Sequence, residues 1–384
     1  MLDFILGLTL YEQIIFGVLI VTLFYSIFVW LGFSIVATHR HHARLKPDEP
    51  QPSVSVIVIV SESTKWFVED GLEKLLEQEY AGDWEVVVVN DWGGTEVTNN
   101  LEILSKRYCN LRFTELKKDP KFPHSRKIPL MLGIKAANYE NLLFSDPSVA
   151  PKSNKWLKLM SRGFIGGRIV VGYSGFTQGT SGYIRSSRMM TSIRFLSAAV
   201  GGNGYRGIYN NFGYTKRLFF STRGFTHLRL STGEDDLFVQ HASKGGDISV
   251  ILNPYCSCEQ YPQGGLKWWW NEQRYQTYSF KYYPKKVKFR IFMELFMKLL
   301  FFCSVTLSVL MATLWGGWQW GWAVGVGAFL IREWVMLRSL RRICKRVGER
   351  KLTLSFMLYD LVNPVTECLL AISRRLKVNK ELWK

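Results

Sequence analysis

An α/β domain with a doubly wound, mostly parallel sheet, set between N-terminal and C-terminal apolar helices, is what this chain predicts. Three observations carry that prediction. Runs rich in β-branched residues, VSVIVIV at Val54–Val60 and WEVVVVND at Trp84–Asp91, alternate with helical patterns. Continuous runs of this kind suit strands covered on both faces of a parallel sheet. A charge-free stretch of about 23 residues, Ile14 to Val36, is long enough to cross a bilayer with some tilt. A second apolar region, Leu299–Ile331, lies between KYYPKKVKFR and RSLRRICKRVGERK, and basic flanks at both ends predict a hairpin that enters the membrane and returns.

The elements follow in order. The first helix is too long for a cleaved signal peptide, carries Asp3 and Glu12 on its N-terminal side, and has no small-residue cleavage site after it. The basic run HRHHARLK that follows puts the next domain in the cytoplasm by the positive-inside rule. After a linker with Pro47, Pro50 and Pro52 come a strand at Val54–Val60, a helix at Trp66–Gln78 and a strand at Trp84–Asp91. Another helical segment leads to a third strand at Leu111–Leu116. A helix at KIPLMLGIKAA (Lys127–Ala137) and a fourth strand, NLLFSD, ending at Asp146, complete the alternation. The hairpin turns near WGGWQWGW (Trp315–Trp322), whose tryptophans suit a membrane–water boundary. The last apolar stretch holds Asp360, Pro364 and Glu367 and reads as an interfacial amphipathic segment. The expected division is an anchor at 1–46, an α/β domain at 47–285, a transmembrane hairpin at 286–337 and a basic interfacial tail at 338–384.

Composition narrows the function. The chain of 384 residues is 47% hydrophobic and 15% aromatic, with a formal net charge of +18. The excess of Lys and Arg lines the membrane-flanking segments, so anionic lipids explain it and nucleic acid is not needed. Of the six cysteines only Cys256 and Cys258 are close in sequence, without metal spacing. That favours free, buried thiols in a reducing compartment. No P-loop is present, and GNGYRG (Gly202–Gly207) lies too far from the first strand to be a dinucleotide fingerprint.

Ligands of open α/β sheets bind beyond the carboxyl ends of the strands. Asp91 and Asp146 both fall there, although either could be a turn residue. GEDDLF sets Glu234, Asp235 and Asp236 side by side. Such a cluster suits a solvated surface, a metal site or a general base, and a helix starting at LFVQHA would take one acid as a cap. KWWWNEQRYQTYSFKYY (Lys267–Tyr283) mixes aromatic rings with cations, as a sugar platform or a membrane boundary would.

Together these motifs resemble family 2 glycosyltransferases of the GT-A fold, a Rossmann-like arrangement, in their membrane-anchored bacterial form. VSVIVIV with Ser61-Glu62 is similar to the family's opening strand, and VVVVNDWGGTE to the strand ending in an acid that contacts the nucleotide base, here Asp91. SRKIPLMLGIKAA maps the family's donor-binding lysine onto Lys127. LLFSDPSVAPK maps the D-x-D stretch onto Asp146 and Ser148, and GEDDLF maps the base onto Asp235. WNEQRYQ maps the acceptor segment onto Trp270, Gln273 and Arg274.

The resemblance implies an inverting transfer of sugar from a nucleotide-sugar donor to a lipid-linked or saccharide acceptor, at the inner (plasma) membrane, in envelope or surface polysaccharide synthesis. Mg²⁺ or Mn²⁺ would be the cofactor, with Asp146 as its ligand. Glu234 would position the acceptor and Asp236 would cap the helix. The second acid of the D-x-D stretch is Ser148, the last Arg of the acceptor segment is Gln276, and the Trp of processive synthases is Thr277. A processive synthase and an inactive membrane scaffold of the same fold are the alternatives.

Overall fold

A computed structural model describes residues 9–41, 51–117, 125–226, 233–243, 247–276, 279–314 and 320–373. Thr277, Pro47 and Pro50, the first part of the WGGWQWGW turn and the basic end of the tail lie outside the described residues. The chain forms two compact units. One contains Met1–Ala37, Trp269–Cys344 and Lys351–Lys384; the other contains Thr38–Trp268 and Lys345–Arg350.

The second unit is built on strands β1 (Val54–Val60), β2 (Trp84–Asp91), β3 (Leu111–Leu116), β4 (Asn141–Ser145), β5 (Val149–Pro151), β6 (Ile169–Val171), β7 (Ser174–Phe176), β8 (Phe212–Thr215), β9 (Ile248–Val250) and β10 (Cys258–Gln260). Seven form one sheet in the order β3-β2-β1-β4-β8-β6-β9, parallel except where β8 runs against β4 and β6. A small sheet, β5-β10-β7, completes the unit. Each of the four expected strands is present, and β1 and β2, the β-branched runs, are almost wholly buried. Val56, Val58 and Val88 pack with Phe67, Leu72 and Leu101 in the principal core.

The helix expected at Trp66–Gln78 is interrupted. A wide turn at Phe67–Gly71, closed by the Leu72 amide on the Phe67 carbonyl at 2.7 Å, leads into a short helix at Glu73–Leu76. The helix Lys127–Ala136 lies tight against the sheet. A Cβ on Gly133 would come within 2.7 Å of Ile57 Cγ2 and 3.0 Å of Val89 Cγ2, so only glycine permits that approach. The consequence for the site is that Arg126 and Lys127 are fixed at the start of this helix.

The first unit is helical: Leu10–Phe33, Lys285–Leu314, Gly321–Val347 up to Cys344, and Thr353–Ser373. Its first helix starts in a capping box, with Thr9 Oγ1 accepting from the Glu12 amide and Glu12 Oε2 accepting from the Thr9 amide at 2.7 Å. Among the described residues three helices are long and apolar enough to cross a membrane: Leu10–Thr38, Lys285–Leu314 and Thr353–Ser373. The last of these was expected to be interfacial. The second arm of the expected hairpin, Gly321–Val347, is not among the three, because seven Arg, Lys and Glu side chains fall between Arg332 and Arg346.

Inside this unit a charged quartet is buried. Asp360 Oδ1 accepts from Lys298 Nζ at 2.5 Å, while Asp360 Oδ2 and Glu333 both accept from Arg332. The Arg332 guanidinium lies 4.9 Å from the Phe302 ring centroid and 5.5 Å from that of Phe301.

All six cysteines are free thiols. Cys256, Cys258 and Cys344 are buried as expected, whereas Cys109, Cys303 and Cys368 are exposed.

Candidate active site

At the end of β2 the chain reverses sharply. Asn90 Oδ1 accepts from the Gly93 amide at 2.9 Å, and Asn90 Nδ2 donates to Thr98 Oγ1 at 2.9 Å. Gly94 sits at φ +76°, which glycine adopts freely, but Trp92 takes φ 60° without that freedom. A bulky residue in the left-handed region costs of order 1 kcal/mol or more and is typically retained where a site requires it. The buried Asp91 immediately precedes this turn.

Two strands away in the sheet, β4 delivers Asp146. Its Oδ1 accepts from the Ser148 amide at 3.0 Å and the Ser148 hydroxyl at 2.7 Å. Ser148 Oγ in turn accepts from Gln260 Nε2 at 3.2 Å. Gln260 is held by Arg188 Nη2 at 2.7 Å and Asn210 Nδ2 at 2.8 Å, both donating to its Oε1. Ser148 therefore locks the Asp146 carboxylate in place.

The other oxygen of Asp146 accepts from Arg126 Nη2 at 3.1 Å. Arg126 Nε lies 3.8 Å from Glu234 Oε1, and the guanidinium stands 5.6 Å from the Tyr209 ring centroid. Tyr209 donates its hydroxyl to the Glu234 carbonyl at 2.9 Å. Next to Arg126, the Lys127 ammonium is pulled below its ordinary pKa by burial, which the nearby Glu234 carboxylate partly offsets. Two cations at a helix N-terminus oppose the helix dipole, so their gain must come from the acids they face.

Those acids lie across from them. Gly233, at φ +90°, turns the chain into Glu234, Asp235 and the helix Asp236–Ala242. Glu234 is 5% exposed, and its Oε2 makes no hydrogen bond among the described residues. Burial raises its pKa, against the pull of the Arg126 charge. Asp235 is the cap of this helix, taking the place expected for Asp236: its Oδ1 accepts from the Asp236 amide at 2.7 Å. Asp236 lies one step inside, with its Oδ1 accepting from the Leu237 amide at 2.7 Å. Asp235 is pushed up to about 8 by burial first, then by the charges of Asp236 and Glu234, with Arg206 opposing. Capping thus uses one oxygen of Asp235 and leaves a carboxyl whose proton is held near neutral pH.

The geometry brings together Lys127, Asp146, Ser148 and Glu234 through Arg126, a residue that the motifs did not single out. A signal was present: two adjacent cations, Arg126 and Lys127, at a helix start. Asp91 is at the same edge of the sheet, at the end of β2, with β1 between it and the strand that carries Asp146. Trp270, Gln273 and Arg274 are carried by the helix Leu266–Gln276, in its portion belonging to the first unit.

The residues present do not fit a divalent cation as arranged. Asp146 is the sole acid of its stretch, its oxygens are engaged by Ser148 and Arg126, and a guanidinium already supplies the positive charge there. Among the described residues no three His, Cys, Asp or Glu side chains converge on one point.

No protein-family model matches the chain. No curated protein matches its sequence. Solved structures do match. TarS 1-349 of S. aureus is 15% identical, both alone and in complex with UDP-GlcNAc, with TM-scores of 0.40 and 0.41 over 81% of this chain and 91% of that one. The mannosyltransferase PcManGT from Pyrobaculum calidifontis, in complex with GDP-Man and Mn²⁺, is 13% identical at a TM-score of 0.54 and covers 86% of this chain and 97% of that one. At that identity the likeness is one of architecture: the chain has a glycosyltransferase fold.

Proposed function

We propose that the protein is an inverting glycosyltransferase of the family 2 type. It moves a sugar from a nucleotide-sugar donor to a membrane-associated acceptor, a lipid-linked saccharide, in envelope or surface polysaccharide synthesis. The observation that carries this reading is the Arg126 bridge between Asp146 and Glu234, beside an acid, Asp235, whose proton is held near neutral pH.

In this reading the donor lies across the ends of β2 and β4. Asp91 accepts hydrogen bonds from the nucleoside, as an ionised carboxylate is suited to do. Arg126 and Lys127 face the diphosphate and offset the negative charge that grows as the sugar–phosphate bond breaks. Asp235 takes the proton from the acceptor hydroxyl while its oxygen bonds to the anomeric carbon, and the nucleoside diphosphate departs from the opposite face. Glu234 orients the acceptor. Trp270, Gln273 and Arg274 form the acceptor platform. The catalytic unit faces the cytoplasm, on the basic side of the first span.

The test is nucleotide release from several nucleotide-sugars by the full chain in lipid nanodiscs, with Mg²⁺, Mn²⁺ or EDTA. Release of UDP or GDP, lost in Asp146→Ala, is expected. Failure of any nucleotide to bind at millimolar concentration would exclude the donor site and leave an inactive scaffold.

A further inference from the structure

A second cationic site lies in the same unit and shares no residue with the donor side. It is a cleft of about 200 Å³ lined by Arg40, His41, Leu159, Arg162, Ile251, Leu252, Asn253 and Arg346. Two segments that lead to the apolar helices build it, and hydrogen bonds pin both. His39 Nε2 donates to the Val250 carbonyl at 3.0 Å, and His41 Nε2 donates to the Arg162 carbonyl at 3.2 Å. Arg346 Nη2 donates to the His39 carbonyl at 2.7 Å, and the Val347 carbonyl accepts from Ser257 Oγ at 2.7 Å. Arg40 follows the first candidate span by two residues, and Arg346 precedes the third by seven.

The charge in this cleft is uncompensated. No carboxylate pairs with Arg40, Arg162 or Arg346 among the described residues. The Nε donors of Arg162 and Arg346 are buried and make no hydrogen bond there. Burial, together with the Arg40 charge, draws Arg346 below its ordinary pKa. Buried donors without acceptors cost about 1–3 kcal/mol each, more when charged. Like charges held together add to that cost, so the cluster points to an anionic ligand.

Size and lining define the ligand further. The cleft is smaller than the roughly 300–1,000 Å³ of sites for drug-sized ligands, so a whole nucleotide-sugar does not match it. Guanidinium forks suit phosphate oxygens, and Leu159, Ile251 and Leu252 supply an apolar wall beside them. We propose that this cleft binds the phosphate group of an anionic membrane lipid, with Arg40, Arg162 and Arg346 as its ligands. The site is independent of the transfer reaction and fixes the second unit to a membrane surface that carries phosphate headgroups.

The experiment titrates the full chain in zwitterionic nanodiscs with dihexanoyl phosphatidate and reads binding by thermal shift. Dihexanoyl phosphatidylcholine and inorganic phosphate are run alongside. Saturable binding of the phosphatidate is expected, weakened at least tenfold in Arg162→Gln and in Arg40→Gln. Arg107→Gln, which removes the same charge outside the cleft, should bind as the wild type. Arg40 is exposed and makes no hydrogen bond among the described residues, so its replacement leaves the fold intact even if the other variant unfolds. Equal binding by the wild type and Arg40→Gln would overturn the proposal. Inorganic phosphate binding as tightly as the phosphatidate would reassign the cleft to free phosphate and overturn the lipid assignment.

Discussion

Asp360 in the first unit and Asp235 in the second are helix carboxylates in opposite electrostatic company. Asp360 is 1% exposed, and cations hold both of its oxygens: Lys298 on Oδ1 and Arg332 on Oδ2. With Glu333 the quartet contains two positive and two negative groups and is neutral. Asp235 stands between two further acids, Glu234 and Asp236, and among the described residues one of its oxygens is engaged, by a backbone amide. A balanced cluster of this kind ties helices together, and charge inside a membrane-type helix is tolerated only when paired. An unbalanced cluster perturbs the proton affinity of its members, as a general base requires. Burial acts on both carboxylates; what separates them is the company, a cation on each oxygen of Asp360 against two flanking acids beside Asp235, with the Arg206 charge only partly opposing.

The largest expected effect comes from neutralising the unbalanced acid. Asp235→Asn should lower transfer by about 10²- to 10⁴-fold, the usual contribution of a positioned base, while donor binding persists. Full activity in that variant would break the contrast at its root. Breaking the balanced cluster should act on stability instead. Asp360→Ala strands Lys298 and Arg332 and should cost about 3–5 kcal/mol, seen as a lower unfolding temperature with donor binding unchanged in the folded fraction. Loss of donor affinity without loss of stability would instead make the quartet part of the site.

A smaller effect, about tenfold or more in donor affinity, is expected for Arg126→Gln, since hydrogen bonds to charged groups contribute roughly 1.5–3 kcal/mol. If Arg126 supplies the charge against the diphosphate, wild-type donor binding should also survive EDTA.

The smallest effect is on stability against pH. In the unfolded chain Asp235 titrates near the ordinary aspartate value of 3.8, whereas in the fold it is pushed up to about 8. The folded state therefore holds that proton more tightly, and its stabilising contribution, complete below pH 4, is lost progressively as pH rises through 8. Asp235→Asn should flatten the decline in unfolding temperature between pH 5 and 9, a difference of a few degrees by scanning calorimetry. The transfer rate should rise across the same interval as the base loses its proton.

Much of the second unit was legible because buried parallel strands write themselves as unbroken β-branched runs. Val54–Val60 and Trp84–Asp91 are such runs; the end of the second carries Asp91, and the end of NLLFS, the fourth strand, leads to Asp146 on the same side of the sheet. The wide turn at Phe67–Gly71 was not legible, since an i to i+5 hydrogen bond has no periodicity of its own in so short a segment. The capping residue was misplaced by one position because either Asp could accept from a first-turn amide. The role of Arg126 is not legible for a different reason. Its partners Asp146 and Glu234 lie far along the chain, and only the folded sheet brings the three together. In the first unit, length and apolarity identified the outer helices. The fate of Thr353–Ser373 turned on Asp360, whose charge looked interfacial until its partners on two other helices were known.

The distribution of thiols has a practical consequence. Burial pushes Cys256 up to about 12 and Cys258 well above its ordinary value, so neither offers a thiolate to a reagent. Cys344 is buried, while Cys303 and Cys368 sit on helices suited to lipid contact. Cys109 alone combines exposure with a place in the α/β unit. With the α/β unit on the cytoplasmic side, as proposed, a charged maleimide applied outside intact cells should leave the chain unmarked and add a single adduct after the membrane is opened; labelling of intact cells would overturn that placement. The unmodified sequence thus carries its own reporter of sidedness, at one sulfur atom.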